Sequence, residues 1–149
     1  MKQFTIKFTE DNWCKHLNHN PDVIITLRDA VKGDIGDVTI LKNGIYILIN
    51  CYEVPFCDLI IDNHYDVLWA IEGFSSKDEY LNEIKCIYGS DTFEKLDKKA
   101  YIHTLLKLKY REFNRTIRNP VTGTVYPIRS HSSKELKNEI TGLWSDPHD

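Results

Sequence analysis

Val38-Thr39-Ile40-Leu41-Lys42-Asn43-Gly44-Ile45-Tyr46-Ile47-Leu48-Ile49 is the stretch that decides the fold class. Two β-branched apolar runs flank Asn-Gly, a dipeptide that tolerates the positive φ of a tight hairpin. The pattern predicts strand Val38 to Leu41 paired with strand Ile45 to Val54 across Asn43-Gly44. Pro55 ends the second strand, and Cys57 to Ile61 is expected to resume as a short edge strand.

Toward the N-terminus, Val23 to Arg28 is a second β-branched run, followed by a loop from Asp29 to Gly36. Thr26 and Arg28 are two apart and so share a face. Lys2 to Phe8 alternates, with Phe4, Ile6 and Phe8 on one side, as a half-buried strand does. A helix follows, capped by Thr9, with Trp13 and Leu17 on one face and Asn18 to Pro21 as its break.

Toward the C-terminus, Asn63 to Gly73 reads as irregular helical turns. Ser75 or Ser76 opens a clearer helix to Tyr88, with Tyr80, Ile84, Ile87 and Tyr88 as its apolar stripe and Gly89 as its stop. Asp91 to Leu96 adds a turn and Ala100 to Leu108 a strand. A hairpin-like region with turns at Pro120, Gly123 and Pro127 comes next, then a helix from Ser133 to Ile140 and a fraying end from Ser145 to Asp149. This order does not repeat as βαβ units. The expected fold is therefore α+β: a small, mixed, largely antiparallel β-barrel with flanking helices.

With 149 residues, 42% hydrophobic and 28% charged, the chain has the composition of one folded domain rather than a disordered or low-complexity segment. Its longest apolar runs fall far short of the roughly 18 residues a membrane helix needs. Met1 to Asn20 lacks a basic start followed by an apolar run. The expectation is a cytoplasmic protein with no membrane association. Cys14, Cys51, Cys57 and Cys86 have no Cys-x-x-Cys spacing and are expected as reduced thiols. Zinc bound with help from His16, His19 and His64 is the alternative, but structural zinc sites use paired ligands at short fixed spacing, so no metal and no cofactor are expected.

Charge is segregated along the chain. Residues 1–106 carry 11 Lys/Arg against 17 Asp/Glu, residues 107–134 carry 7 against 1, and residues 135–149 carry 1 against 4. Lys107, Lys109, Arg111, Arg115, Arg118 and Arg129, interleaved with Tyr110, Phe113 and Tyr126, are the residue types that grip phosphates and stack on bases. The plainer account is a solvated basic face offsetting an acidic body. Residues 111–149 are too few for a core of their own. They are expected to pack on a domain spanning 1–110 through Ile117, Val125, Ile128, Leu136, Ile140, Leu143 and Trp144, leaving the arginines exposed.

A helix bearing Trp13, then Ile25-Thr26-Leu27-Arg28-Asp29, a loop, Ile35-Gly36-Asp37-Val38, and later Ala70-Ile71-Glu72-Gly73-Phe74-Ser75-Ser76 before an amphipathic helix stand in an order that resembles the ASCH domain of the PUA-like superfamily. The resemblance covers about residues 1 to 110, and the final strand, His103 to Leu108, falls where that family's barrel closes. It implies a PUA-like barrel with a cleft between barrel and helices that recognises RNA or a nucleotide-like ligand. Arg28 would meet a phosphate or base edge and Glu72 would accept from a base amine. Some small members are amidohydrolases that deacetylate acetylated cytidine with a Lys, a Thr and a Glu. The Thr and Glu match Thr26 and Glu72, whereas the Lys position is Val23 here.

That departure matters, because amide hydrolysis needs an activated nucleophile, a proton donor for the leaving amine and oxyanion stabilisation. Valine supplies none of these, and Lys15 or Lys32 would have to fold back to replace the amine. Ordinary structural roles stand beside the functional ones. Thr26 suits a strand, Arg28 pairs readily with Asp29 or Asp37, and Glu72 suits a helix entry. His103, Trp13 and Trp69 read as core or rim residues. Three functions follow as expectations: an RNA- or nucleotide-binding module, an amidohydrolase acting on acylated nucleosides, and a protein-interaction module whose partner the sequence does not name.

Overall fold

The computed structural model describes residues 2–108, 116–118 and 121–127, and the chain is α+β. In order, the elements are α1 Glu10–His19, β1 Val23–Arg28, β2 Val38–Leu41, β3 Gly44–Pro55, α2 Asp58–Ile61, a 3-10 turn Asn63–Tyr65, α3 Leu68–Ile71, α4 Lys77–Tyr88, a second 3-10 turn Thr92–Glu94, β4 Lys99–Lys107, β5 Thr116–Arg118 and β6 Val125–Pro127. Strands β1 to β4 form one sheet in the order β1-β4-β3-β2, while β5 and β6 form a separate two-stranded sheet. Strand β3 runs antiparallel to β4: the Leu108 amide donates to the Ile45 carbonyl at one end and the Phe56 amide to the Lys98 carbonyl at the other.

Among the described residues the larger sheet is open, with β1 and β2 at its edges, and the expected barrel does not close. The missing neighbour is the expected first strand. Lys2 to Phe8 makes one isolated parallel bridge, Gln3 to Val38, in place of a ladder. The bridge rests on Phe4 N to Val38 O at 2.9 Å and Val38 N to Lys2 O at 3.0 Å. Strand β2 has only four residues, and the chain before it turns away at Asp34, whose carbonyl accepts from the Asp37 amide. Phe4 and Ile6 are nevertheless buried. The alternating side chains find apolar cover without sheet hydrogen bonds.

The described residues fall into two compact units that each draw on separate stretches of chain. One comprises the residues up to Lys7, Lys32–Asn50 and those from Thr104 onward. It is built on the predicted β2–β3 hairpin, but Leu41 pairs with Gly44, so the turn is Lys42-Asn43 rather than Asn43-Gly44. Gly44 takes φ +150°, a conformation that disfavours other residues. Ile45, Tyr46, Ile47 and Leu48 are all buried, and because successive side chains point to opposite faces, both faces of β3 are covered along this stretch. The same unit holds the predicted second hairpin, with Ile117 opposite Tyr126.

The other unit comprises Phe8–Val31 and Cys51–His103 and contains the four α-helices found among the described residues. Its core gathers Val54, Phe56, Leu59, Phe74, Ile84 and Ile102. Helix α1 is capped as predicted, with Thr9 Oγ1 accepting from the Asn12 amide, and α4 by Ser76 accepting from the Glu79 amide. The buried face of α1 is Trp13 and His16, and on α4 Ile87 points outward. The expected edge strand from Cys57 to Ile61 is helix α2. Its amides bond carbonyls three or four residues back, and of its apolar residues Leu59 is buried while Ile61 is 74% exposed. A run of apolar residues reads as a strand, yet only one of them has core to enter.

Among the described residues no helix is long and apolar enough to cross a membrane. The expected terminal helix, the fraying end and the packing of residues 128–149 lie outside the described residues.

Candidate functional site

The site begins with a helix ending. Helix α3 closes on Glu72 as its C-cap. The Gly73 amide donates to the Ala70 carbonyl at 3.0 Å and the Phe74 amide to the Trp69 carbonyl at 2.8 Å. These two bonds make a Schellman motif, which requires a left-handed residue just past the cap, and Gly73 supplies it at φ +86°. A Cβ on Gly73 would sit 2.3 Å from the Lys15 carbonyl oxygen, so glycine also admits the α1 backbone at close range. The Glu-Gly-Phe sequence thus has a local physical meaning: it ends α3 and directs the Glu72 side chain inward.

Glu72 is 5% exposed. One carboxylate oxygen, Oε1, accepts from the Leu27 amide of β1 at 3.2 Å. The other, Oε2, is buried without a hydrogen-bond partner, as is the Tyr80 hydroxyl. The two groups still act on one another: Tyr80 favours the ionised carboxylate, and Glu72 helps hold the phenol protonated. Burial dominates, pushing the Glu72 carboxyl up to about 7 against opposition from Tyr80, the Leu27 amide, Arg28 and Thr26.

The shared face of β1 supplies the next two groups. Thr26 is 3% exposed, and its Oγ1 accepts from Arg28 Nε at 3.2 Å. The Arg28 guanidinium lies over the Phe8 ring, 4.6 Å from its centroid, a cation–π arrangement. Burial lowers the Arg28 pKa, with Tyr88, Glu72 and Asp29 acting the other way. The expected alternative partner Asp37 is spent elsewhere, its carboxylate accepting from the Lys2 and Asp34 amides.

Thr26, Arg28 and Glu72, singled out by sequence, therefore belong to one cluster. Sequence reasoning missed four of its members: Phe8, His16, Tyr80 and Tyr88. His16 is 4% exposed, edge-on to Phe8 at 5.2 Å, and burial with Arg28 and His19 nearby lowers its pKa to about 4. It is a neutral core ring at ordinary pH. Tyr88 donates to the Leu27 carbonyl at 3.3 Å, and burial pushes its phenol up to about 12. The apolar stripe of α4 had marked Tyr80 and Tyr88 as core, but their hydroxyls gave no sign of which carboxylate they would meet.

Lys15, one of the two lysines that would have to replace the amine Val23 lacks, is engaged on the helix surface. Lys15 Nζ is 2.6 Å from Asp11 and 3.8 Å from Glu79 and lies over the Phe74 ring. The Asp11 hydrogen bond raises its pKa, so it stays charged and serves the helix surface. Lys32 is exposed. His103 is buried, with Nδ1 3.0 Å from the Tyr101 carbonyl, and Trp13 is buried too, so both take the core roles expected of them.

Of the basic stretch, Lys107 ends β4, and its Cε lies where a Cβ on Gly44 would come within 2.8 Å. Arg118 ends β5. Lys109, Arg111, Arg115 and Arg129 lie outside the described residues. Cys14, Cys51, Cys57 and Cys86 are free thiols, and among the described residues no group of three or more His, Cys, Asp or Glu side chains gathers to hold a metal. In comparisons with known proteins, the chain matches no protein-family model, no curated protein and no solved structure.

Proposed function

We propose that the chain is an ASCH/PUA-like module that binds RNA or a nucleotide-like ligand through the Thr26–Arg28–Glu72 cluster, in a barrel-like cleft of the kind that family uses. The observation that carries this reading is the gathering of Arg28, bonded to Thr26, with a buried carboxylate whose second oxygen has no hydrogen-bond partner and which acts on the guanidinium. An Arg fork suits a phosphate or a base edge, and a carboxylate oxygen suits an exocyclic base amine. The basic residues from Lys107 to Arg129 add sequence-independent phosphate contacts.

The test is fluorescence anisotropy of short single-stranded RNA across a salt series. Binding is expected at low salt and weakens as salt rises, with a slope of about −0.7 per phosphate contacted. Arg28→Ala is expected to lose about tenfold or more, the scale of a charge-assisted hydrogen bond. Reversing Arg115 and Arg118 to Glu flattens the salt slope. No measurable binding at low salt defeats the reading.

One observation favours a second reading, an amidohydrolase acting on an acylated nucleoside. A carboxyl held at about 7 and acted on by the Thr26 hydroxyl suits a proton shuttle. Water would cleave the amide, giving acetate and free amine. Chromatography of acetylated cytidine incubated with the protein decides it; absence of free cytidine, or turnover unaffected by Glu72→Gln, rejects it.

A further inference from the structure

Among the described residues, β1 is an edge strand of the larger sheet, with β4 as its one neighbour. In a strand the amide and carbonyl of one residue point to the same side, and the side alternates from residue to residue. Both main-chain groups of Leu27 go to side chains. Its amide donates to Glu72 Oε1 at 3.2 Å, and its carbonyl accepts from the Tyr88 hydroxyl at 3.3 Å. Leu27 therefore faces the outer edge of β1, where a further strand would otherwise pair, and Glu72 and Tyr88 occupy that place.

The two side chains come from helix ends, and each is anchored behind the contact. Glu72 is the C-cap of α3, held by the turn at Gly73. Tyr88 is the last residue of α4, which Gly89 stops at φ +114°. The Tyr88 ring lies 5.4 Å from that of Phe56, and its carbonyl accepts from Lys98 Nζ at 2.8 Å. What they hold is the end of a strand. Arg28 is the last residue of β1, and exposed Asp29 and Ala30 follow it. The end of an edge strand, bonded on one side alone, is where a sheet frays first.

We propose that Glu72 and Tyr88 are positioning residues, which together take the place of a neighbouring strand at Leu27 and so hold Thr26 and Arg28 in the arrangement in which their side chains meet. The Leu27 nitrogen belongs to the peptide group that joins it to Thr26, and the Leu27 carbonyl to the one that joins it to Arg28. Peptide groups are planar, so fixing both fixes the directions in which the flanking side chains leave the strand. Those side chains share a face and meet through Arg28 Nε and Thr26 Oγ1 at 3.2 Å. This role rests on the nucleotide-type reading only in what Thr26 and Arg28 are positioned for.

Nuclear magnetic resonance of the full chain tests this through three signals: hydrogen exchange of the Leu27 amide, the Leu27 carbonyl carbon, and the Arg28 Nε–Hε group. The wild-type Leu27 amide is expected to be protected although it faces a sheet edge. Glu72→Ala should speed its exchange about tenfold or more relative to the Ile84 amide inside α4, the scale of one hydrogen bond to a charged group. Glu72→Gln keeps an acceptor oxygen and should restore the protection. Tyr88→Phe keeps the ring beside Phe56 and should shift both the Leu27 carbonyl carbon and the Arg28 Nε–Hε resonance. A freely exchanging wild-type Leu27 amide, equal acceleration at Leu27 and Ile84 in Glu72→Ala, no rescue by Gln, or an Arg28 resonance unmoved by Tyr88→Phe each overturns the proposal. The RNA titration is read separately. If the three signals behave as expected and RNA does not bind, the nucleotide-type reading fails and the positioning stands. If RNA binds while the Leu27 amide exchanges freely, the positioning alone fails.

Discussion

Replacing Glu72 by Gln should uncover a pH dependence of stability that the native protein conceals. Glu72 rises from an ordinary 4.5 to about 7 on folding, so between those values the folded chain holds a proton that the unfolded chain has lost. Its contribution to stability therefore falls as pH rises, by about 1.4 kcal/mol per pH unit and about 3 kcal/mol in all. His16 drops from 6.5 to about 4, so between those values the unfolded chain holds the extra proton. Its contribution rises with pH, by the same amount per unit and about 3 kcal/mol in all. From pH 4.5 to 6.5 the two slopes cancel. Glu72→Gln removes one of them, and His16 then acts alone. Urea unfolding followed by circular dichroism at half-unit steps from pH 4 to 8 reads the difference between variant and wild type, in which shared background titrations drop out. That difference should climb by about 3 kcal/mol from pH 4.5 to 7 in favour of Gln and level off above 7. A difference that stays flat across this window would falsify the assignment of a buried, proton-holding carboxyl at position 72.

The cap that directs Glu72 inward predicts a second outcome: Gly73→Ala forces a Cβ onto the Lys15 carbonyl at a positive φ and should cost roughly 3 kcal/mol or more, read as a lowered urea midpoint. Melting at the wild-type midpoint would show that α1 and the α3 end are not in close contact. The core of the same unit predicts a third. Phe56, fully buried with its ring 5.4 Å from Tyr88, should lose about 3 to 5 kcal/mol on truncation to Ala by chemical unfolding, and a loss under 1 kcal/mol would contradict its place in the core.

Local chemistry was legible wherever a residue's neighbours in sequence were also its neighbours in space. Thr9 and Ser76 cap their helices because the amide they accept from is three residues on. Thr26 and Arg28 meet because a strand repeats every two residues. Val38 to Leu41 pairs with the strand after it because a two-residue turn leaves it little else to do, although one residue of register separated Lys42-Asn43 from Asn43-Gly44. The turn dipeptide permits the bend, while the side chains that must be buried choose the register.

What only the tertiary structure decided depends on residues far apart in the chain. Glu72 and Leu27 are 45 positions apart, and nothing near either one announces that a backbone amide of β1 will hold that carboxylate in an apolar core. Burial, not residue type, moves Glu72 to about 7 and His16 to about 4, and burial belongs to the assembled fold. The open sheet has the same origin. Alternation in Lys2 to Phe8 fixes which side chains seek the interior, but pairing also needs a partner with backbone to spare, and four-residue β2 offers one bridge. The sequence by itself marked most of the elements, though not helix α2 or the single bridge made by Lys2 to Phe8, and brought Thr26, Arg28 and Glu72 into consideration. The tertiary contacts determined that they would stand together, and with which tyrosines and histidine, because proximity across the chain and the loss of water that comes with it are properties of packing.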